Sequence, residues 1–301
     1  MLAAFAEAVR ALDRDDYRLV AERNADFLLR EVRQANGRLL RTWKFNPEQG
    51  EGAGEAKLNG YLEDYSYLIE GLLELYQTTF DPHWFVAAHE LAETMIARFS
   101  ASEGVQLRPE PQLPSKAEGL AGFYDNSDDH ETLITRPRDL EDNATPSGNA
   151  KAATALLKLT GSTNDLRYVD VAHQALAQMQ PMMAQYSLGF GQWLQALAYA
   201  LSKPQEIAIV GDPDSTDTQA LLNVVRNVYL PFWVVALGAP DAGHPAVPLL
   251  QDRGLEDWQA AAYVCRDFTY QAPVVEPEAL RAQVESRRSC TVLTEQSTCC
   301  Q

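Results

Sequence analysis

Apolar residues over much of the chain return at intervals of three and four, the spacing of one face of a helix. Tyr65, Leu68, Ile69, Leu72, Leu73 and Tyr76 set one such face and predict a helix over 61–79. Asp81-Pro82 follows at once. An acceptor side chain ahead of a proline is a helix start, and it predicts a second helix to about residue 98 with Ala88, Leu91, Ala92, Met95 and Phe99 inward. So short a link makes the two antiparallel neighbours. The same design predicts helices over 1–12 and 16–34, and again over 147–159 and 165–184, with Gly161-Ser162 as the break. In the last of these, Tyr168, Val171, Ala172, Ala175, Leu176 and Met179 repeat the template. A seventh helix over 191–201 stops ahead of Lys203-Pro204. The reading is a set of helical hairpins with inner and outer members, and the uneven repeat excludes a fixed-period solenoid.

Two long connections, 37–60 and 100–146, separate the hairpins, and connections of that length are uncommon unless they do something. Residues 38–43 alternate as a strand does. Gly122–Asp125 is expected to pair with Leu133–Arg136, and residues 104–121 read as a proline-rich surface excursion. Beyond Pro204 the pattern changes. Glu206–Gly211 and Phe232–Leu237 read as short buried strands around a helix over 216–228, with Ala261–Cys265 as a candidate third strand. The expected organisation is a helical unit over 1–203, a small β-α-β appendage over 204–285 and a flexible tail over 286–301.

Composition narrows the partners. The 301 residues, 46% of them hydrophobic, suffice for one large core or two smaller ones. A formal net charge of -17 argues against nucleic acid or an anionic membrane surface as the partner, since both reward clustered Lys and Arg. No stretch approaches ~20 unbroken apolar residues, so no membrane span is expected. The opening MLAAFAEAVRALDRDD is interrupted by Glu7 and Arg10 and reads as an amphipathic helix rather than a signal peptide. Cys265 stands alone, and Cys290, Cys299 and Cys300 sit in the last segment with neither CxxC nor Cys/His zinc spacing. Reduced thiols and a cytoplasmic location are the expectation. His83 and His89 are spaced wrongly to share a metal on a helix. The Asp-rich run 125–130 lacks the Gly and the final Glu of a calcium loop. No metal or other cofactor is expected.

Candidate chemistry gathers at the starts of three predicted inner helices. Glu63 and Asp64 open the helix over 61–79; they either answer the helix dipole or point a carboxylate into a funnel as acid, base or hydroxyl acceptor, with Tyr65 beside them. Arg136 and Asp142 precede Pro146-Ser147-Gly148-Asn149. Gly148 allows close approach of another backbone, and Asn149, a poor helix former one turn in, needs a bonding partner. Arg136 and Asp142 either bind a ligand or pair with each other. Gly189-Phe190-Gly191-Gln192-Trp193 is either an aromatic platform for a sugar ring or plain core. A carboxylate, a guanidinium fork and an amide together suit a neutral polyhydroxylated ligand better than a phosphate.

Several segments in order, Gly60-Tyr61-Leu62-Glu63-Asp64-Tyr65, Asp142-Asn143-Ala144-Thr145-Pro146-Ser147-Gly148-Asn149, Glu206–Gly211 and Ala262-Tyr263-Val264-Cys265, resemble the C-terminal half of the spermatogenesis-associated protein 20 family. The resemblance covers roughly residues 15–285. It implies a thioredoxin-like domain followed by a six-hairpin α/α toroid, similar to that of N-acylglucosamine and cellobiose 2-epimerases and some glycosidases. This chain would carry part of that toroid. The family pattern commonly sets a second Cys five residues after Cys265, where Tyr270 stands here, which argues against a redox or metal role for that position. The excursion around residues 108–114 looks like an insertion. The functional expectation is a carbohydrate-binding or carbohydrate-active toroid with Glu63 and Asp64 as acid–base candidates and Tyr65, Arg136, Asp142, Asn149 and Trp193 as contacts. The alternative is a non-catalytic helical scaffold or accessory half-domain, and a partial ring predicts self-association through an open apolar flank.

Overall fold

Several helix ends fall where an acceptor side chain or a left-handed residue stands. In the computed structural model, which describes residues 1–46, 48, 53–101, 121–130, 135–202, 204–240, 245–266 and 269–285, α1 (Leu2–Leu12) stops at Asp13, whose φ is 51°. Helix α2 (Asp15–Phe27) continues as one π-helical turn over Leu28–Val32. A hairpin follows, β1 (Leu40–Phe45) against β2 (Gly54–Asn59), with Thr42 opposite Lys57. Helix α3 (Leu62–Thr79) ends at Phe80, φ 57°. Asp81 accepts a hydrogen bond from His83 N (2.9 Å) and opens α4 (Pro82–Phe99). Ser147 caps α5 (Gly148–Thr163), Asp165 caps α6 (Leu166–Gln185), and α7 (Gly191–Leu201) completes the series.

These helices form two layers. In the inner layer α1 packs on α3, α3 on α5 and α5 on α7, while α2, α4 and α6 each back the inner helix before them. The four inner helices run parallel: α3 meets α1 through Gly71 against Leu2 and through Thr78, whose hydroxyl donates to Ala6 O. Further along, α5 meets α3 through Lys151 with Glu70 and then Lys158 with Glu74. Every inward position read from the spacing of α3 and α4 is buried. Side-by-side first helices are thus the observed arrangement.

The break expected at Gly161 is not there. Helix α5 continues to Thr163 and ends at Asn164, φ 58°. A Cβ at Gly161 would lie 2.9 Å from Val234 Cγ2, so this glycine admits a strand against the helix instead of ending it. Within residues 122–125, Phe123 bridges to Ser100, and Asp125 N donates to Pro137 O (2.9 Å). The expected partners Leu133 and Ile134, nearly all of the 104–121 excursion, and the 286–301 tail with Cys290, Cys299 and Cys300 lie outside the described residues.

After α7 come β3 (Gln205–Val210), α8 (Thr216–Asn227) and β4 (Trp233–Gly238), the expected β-α-β unit with parallel strands. Two strands extend it: β5 (Ala261–Arg266), antiparallel on the other side of β3, and β6 (Thr269–Tyr270), giving the order β4-β3-β5-β6. Helix α9 (Pro277–Glu285) follows. Successive strand residues face opposite ways. Ala208, Val210, Val234 and Ala236 therefore join the core of the helical layers, while Ile207, Ile209, Val235 and Leu237 pack with Leu221, Val225 and Leu280 of α8 and α9. Among the described residues no helix is long and apolar enough to cross a membrane.

Candidate functional site

At the amino ends of the inner helices, each residue singled out from the sequence has a protein partner. Asp64 reaches back to accept from Tyr61 N (2.8 Å) and also accepts from Arg41 (3.0 Å). Burial raises its carboxyl against the lowering effect of these two donors. Glu63 takes the other arm of Arg41 (2.8 Å), whose guanidinium lies 4.5 Å from the Tyr61 ring centroid. Tyr65 is fully buried, and its hydroxyl accepts from Leu39 N (2.8 Å). Arg136 does not pair with Asp142: it donates to the carbonyls of Asn126 and Arg98 and lies over Tyr124. Asp142 instead accepts from Ser147 N (2.8 Å) and Gln192 N (2.7 Å), tying the starts of α5 and α7 together. Trp193 Nε1 donates to Leu140 O (2.8 Å), and Asn149 Oδ1 accepts from Phe123 N (2.8 Å). Glu63 and Asp64 thus meet at Arg41, and Asp142 meets the α7 turn that carries Trp193. No hydrogen bond joins Asp64, Arg136 and Asn149.

The cavity lies elsewhere, deeper along the inner helices. It has a volume of about 740 Å³, and none of the seven residues above lines it. Its walls are Ala3, Glu7 and Arg10 of α1; Glu70, Glu74 and Gln77 of α3; Lys151, Thr154 and Lys158 of α5; and Gln195 and Tyr199 of α7. These spacings of three, four and seven place one stripe of each helix on the same surface. The end of α8 and the link into β4, from Val225 to Trp233, close the cavity. Contacts that hold that closure include Val235 N donating to Gln77 Oε1 (2.9 Å), Tyr199 meeting Phe232 edge to face at 5.7 Å, and the Arg10 guanidinium 6.0 Å from the Trp233 ring centroid.

Charges in the wall are paired across helices. Glu74 accepts from Arg10 of α1 and from Lys158 of α5 (2.7 Å), and Glu70 accepts from Lys151 (2.6 Å). Arg10 also donates to Thr78 Oγ1 (2.8 Å). Burial pushes the Glu74 carboxyl up, but Lys158 and Arg10 outweigh it and hold the group well below the usual carboxylate range. Burial lowers Lys158, and Glu74 with Glu70 raises it further than burial lowers it. Both therefore stay charged at neutral pH. Glu7 differs: no hydrogen bond or salt bridge holds it among the described residues, and loss of hydration, then Glu74, raises its carboxyl. The Tyr199 hydroxyl is buried with no hydrogen-bond partner among the described residues.

Reading the apolar face of each helix misses these residues. Their signal is a second, polar stripe inside helices that are otherwise apolar: Glu70, Glu74 and Gln77 in α3, and Lys151, Thr154 and Lys158 in an Ala- and Leu-rich α5. A helix buried on its apolar face with charges at helical spacing on another face presents those charges to a second, wet surface.

Parallel inner helices around a charged, partly closed cavity, with a small mixed sheet joined to one end, define a class of layered helical-hairpin proteins. Within it the chain is a relative of the spermatogenesis-associated protein 20 family, as its motifs indicate. It is 31% identical over 286 residues to the human protein of that name and 28% identical over 291 residues to that of the rat. Each match takes in 93% of this chain but 34% of the relative, so the chain spans about a third of the length of the curated relatives it matches. No family model matches it.

Proposed function

We propose that the inner helices form part of an (α/α)6 toroid and that the cavity they line binds a neutral, polyhydroxylated small molecule of the sugar type. The observation that carries this reading is the cavity itself: about 740 Å³, within the range of small-molecule sites. Glu70 and Glu74 in its wall are paired with Lys151, Lys158 and Arg10, Glu7 and Arg226 carry no ion pair among the described residues, and Tyr199, Tyr229, Phe232 and Trp233 stand on its wall and closure. Paired carboxylates and cations offer donors and acceptors without demanding a charged ligand, and aromatic faces suit the C–H surface of a sugar ring. Glu7 is a carboxyl of the cavity wall with no ion-pair partner among the described residues, whereas Glu63 and Asp64, the acid–base candidates of the sequence, do not line it. Titration calorimetry against D-glucose, D-mannose, N-acetylglucosamine and cellobiose tests the reading. Saturable binding that a sugar phosphate does not exceed supports it, and no heat with any of the four ends it.

A second reading, a helical scaffold that associates through one flank in a reducing, cytoplasmic setting, is favoured by the exposed apolar side chains at the α7 edge of the inner layer. Leu188 is 89% exposed and Leu201 74%, with Met182, Tyr186 and Leu194 also open. Light scattering that gives a dimer mass, reduced to a monomer by Leu188→Ser with Leu201→Ser, supports that reading.

A further inference from the structure

On the reading that the cavity holds a sugar-like molecule, we infer that Gln77 of α3 sets the orientation of that molecule, its carboxamide Nε2 donating to one hydroxyl oxygen of the sugar. The buried polar side chains of the wall are Glu74, Gln77, Thr154 and Tyr199. Both Glu74 oxygens are engaged, one by Arg10 and the other by Lys158. The Thr154 hydroxyl donates to Ala150 O (3.0 Å) and accepts from Gln192 Nε2 (3.1 Å). The Tyr199 hydroxyl is closed to a molecule the size of water, and so to a sugar. Gln77 is half used. Its Oε1 accepts from Val235 N (2.9 Å), while its Nε2 makes no hydrogen bond among the described residues and, unlike the Tyr199 hydroxyl, stays open to a molecule the size of water.

The fold fixes that amide. Strand β4 lies at the edge of its sheet, with β3 on one side, and an edge strand leaves backbone groups without a strand partner. A buried amide needs an acceptor, and Val235 N finds it in Gln77. The bond also decides which end of the carboxamide is which, since Val235 N donates to the oxygen and not to the NH2 group. With Oε1 held at the strand, the planar group has its nitrogen set as well. A donor placed by the fold costs little to order when a ligand arrives. Glu7, Gln195 and Arg226 also line the cavity with no hydrogen bond or salt bridge among the described residues, but all three are exposed. Water solvates them in the free protein and a ligand must order their side chains, so they add contacts without setting the orientation. Gln77 is uncharged, and its donor takes a hydroxyl oxygen without asking for a charged one, in keeping with a neutral ligand. The same amide holds β4, into which the 225–233 closure leads, so ligand and closure meet at one side chain.

The test pairs a change in the protein with a change in the ligand. Gln77→Met keeps an unbranched side chain of similar length and removes the donor. Titration calorimetry of the full chain uses whichever of the four sugars binds, together with its monodeoxy analogues, on the parent and on Gln77→Met. In the parent, one analogue should bind about tenfold more weakly than the sugar through loss of the Gln77 bond. Gln77→Met should melt at a lower temperature, because Val235 N loses its acceptor, and should bind the sugar about tenfold more weakly. In this variant that one analogue should bind as well as the sugar, while the others keep the ratios seen in the parent, the signature of a direct contact. Ratios that are the same in parent and variant for every analogue overturn the role of Gln77 and leave the cavity reading standing, whatever the melting temperature does. A parent that binds none of the sugars overturns both. Should Gln77→Met fail to fold, the structure of the parent with the bound sugar decides: a sugar hydroxyl within about 3.2 Å of Gln77 Nε2 supports the inference, and a sugar elsewhere in the cavity with water at Nε2 overturns it.

Discussion

Lys158 Nζ lies 2.7 Å from Glu74 Oε1, joining α5 to α3 where both helices face the cavity, and Arg10 of α1 approaches the same carboxylate from the other side. Three inner helices thus share one buried acid, 6% exposed in its side chain. Removing Lys158 leaves the Glu74 carboxylate with Arg10 alone and one of its oxygens without a donor. Lys158→Met is expected to lower unfolding stability by about 1–3 kcal/mol, read from urea titration. The double variant Lys158→Met, Glu74→Gln should recover part of that loss; equal losses in single and double variants would deny the coupling.

The same carboxylate makes stability depend on acid. Its folded-state pKa is depressed from an ordinary value of 4.5 to about 2, so the stability it contributes is fully present above 4.5 and is lost as pH falls through that window. Glu7, whose carboxyl is raised, acts with the opposite sign: its contribution is present at low pH and is lost as pH rises through its folded value. Melting temperature should therefore fall as pH is lowered below 4.5, and Glu74→Gln should flatten that fall. An unchanged acid limb in Glu74→Gln would place the acid sensitivity elsewhere.

Asp142 bridges the starts of α5 and α7 through Ser147 N and Gln192 N. Asp142→Ala leaves two helix-start amides without their acceptor and should lower stability by about 1–3 kcal/mol, with sugar affinity in the cavity unchanged. If affinity falls and the melting temperature does not, Asp142 belongs to the site as the sequence suggested.

Much of the helical framework is legible in the residues, because a face of Tyr65, Leu68, Ile69, Leu72, Leu73 and Tyr76 has one geometric meaning. So is the close approach at Gly148, where a Cβ would stand 3.2 Å from Glu63 Cα. Gly161 is the contrary case. Alone it signals a break, but the residue that needs its missing Cβ is Val234, far along the chain, and no local pattern announces that contact. Replacing it tests the point: Gly161→Val should strain the α5–β4 contact and destabilise by about 1–3 kcal/mol, seen as a lower melting temperature. A neutral outcome would mean the strand shifts freely.

The cavity was hidden for a related reason. Helix starts attract acids, amides and hydroxyls through backbone demands alone, so Asp64, Asp142 and Asn149 stand out in the sequence while each bonds to a backbone amide. Glu70, Glu74, Lys151 and Lys158 instead pass for ordinary surface charges until the inner helices are laid side by side.

The most direct measurement is a crystal structure of the chain soaked with whichever of the four neutral sugars binds most tightly in solution. The account predicts density for the sugar between the four inner helices and the 225–233 closure. Density seated instead on Glu63, Asp64 and Arg41 at the amino ends of the helices, with the inner cavity holding only water, would contradict it.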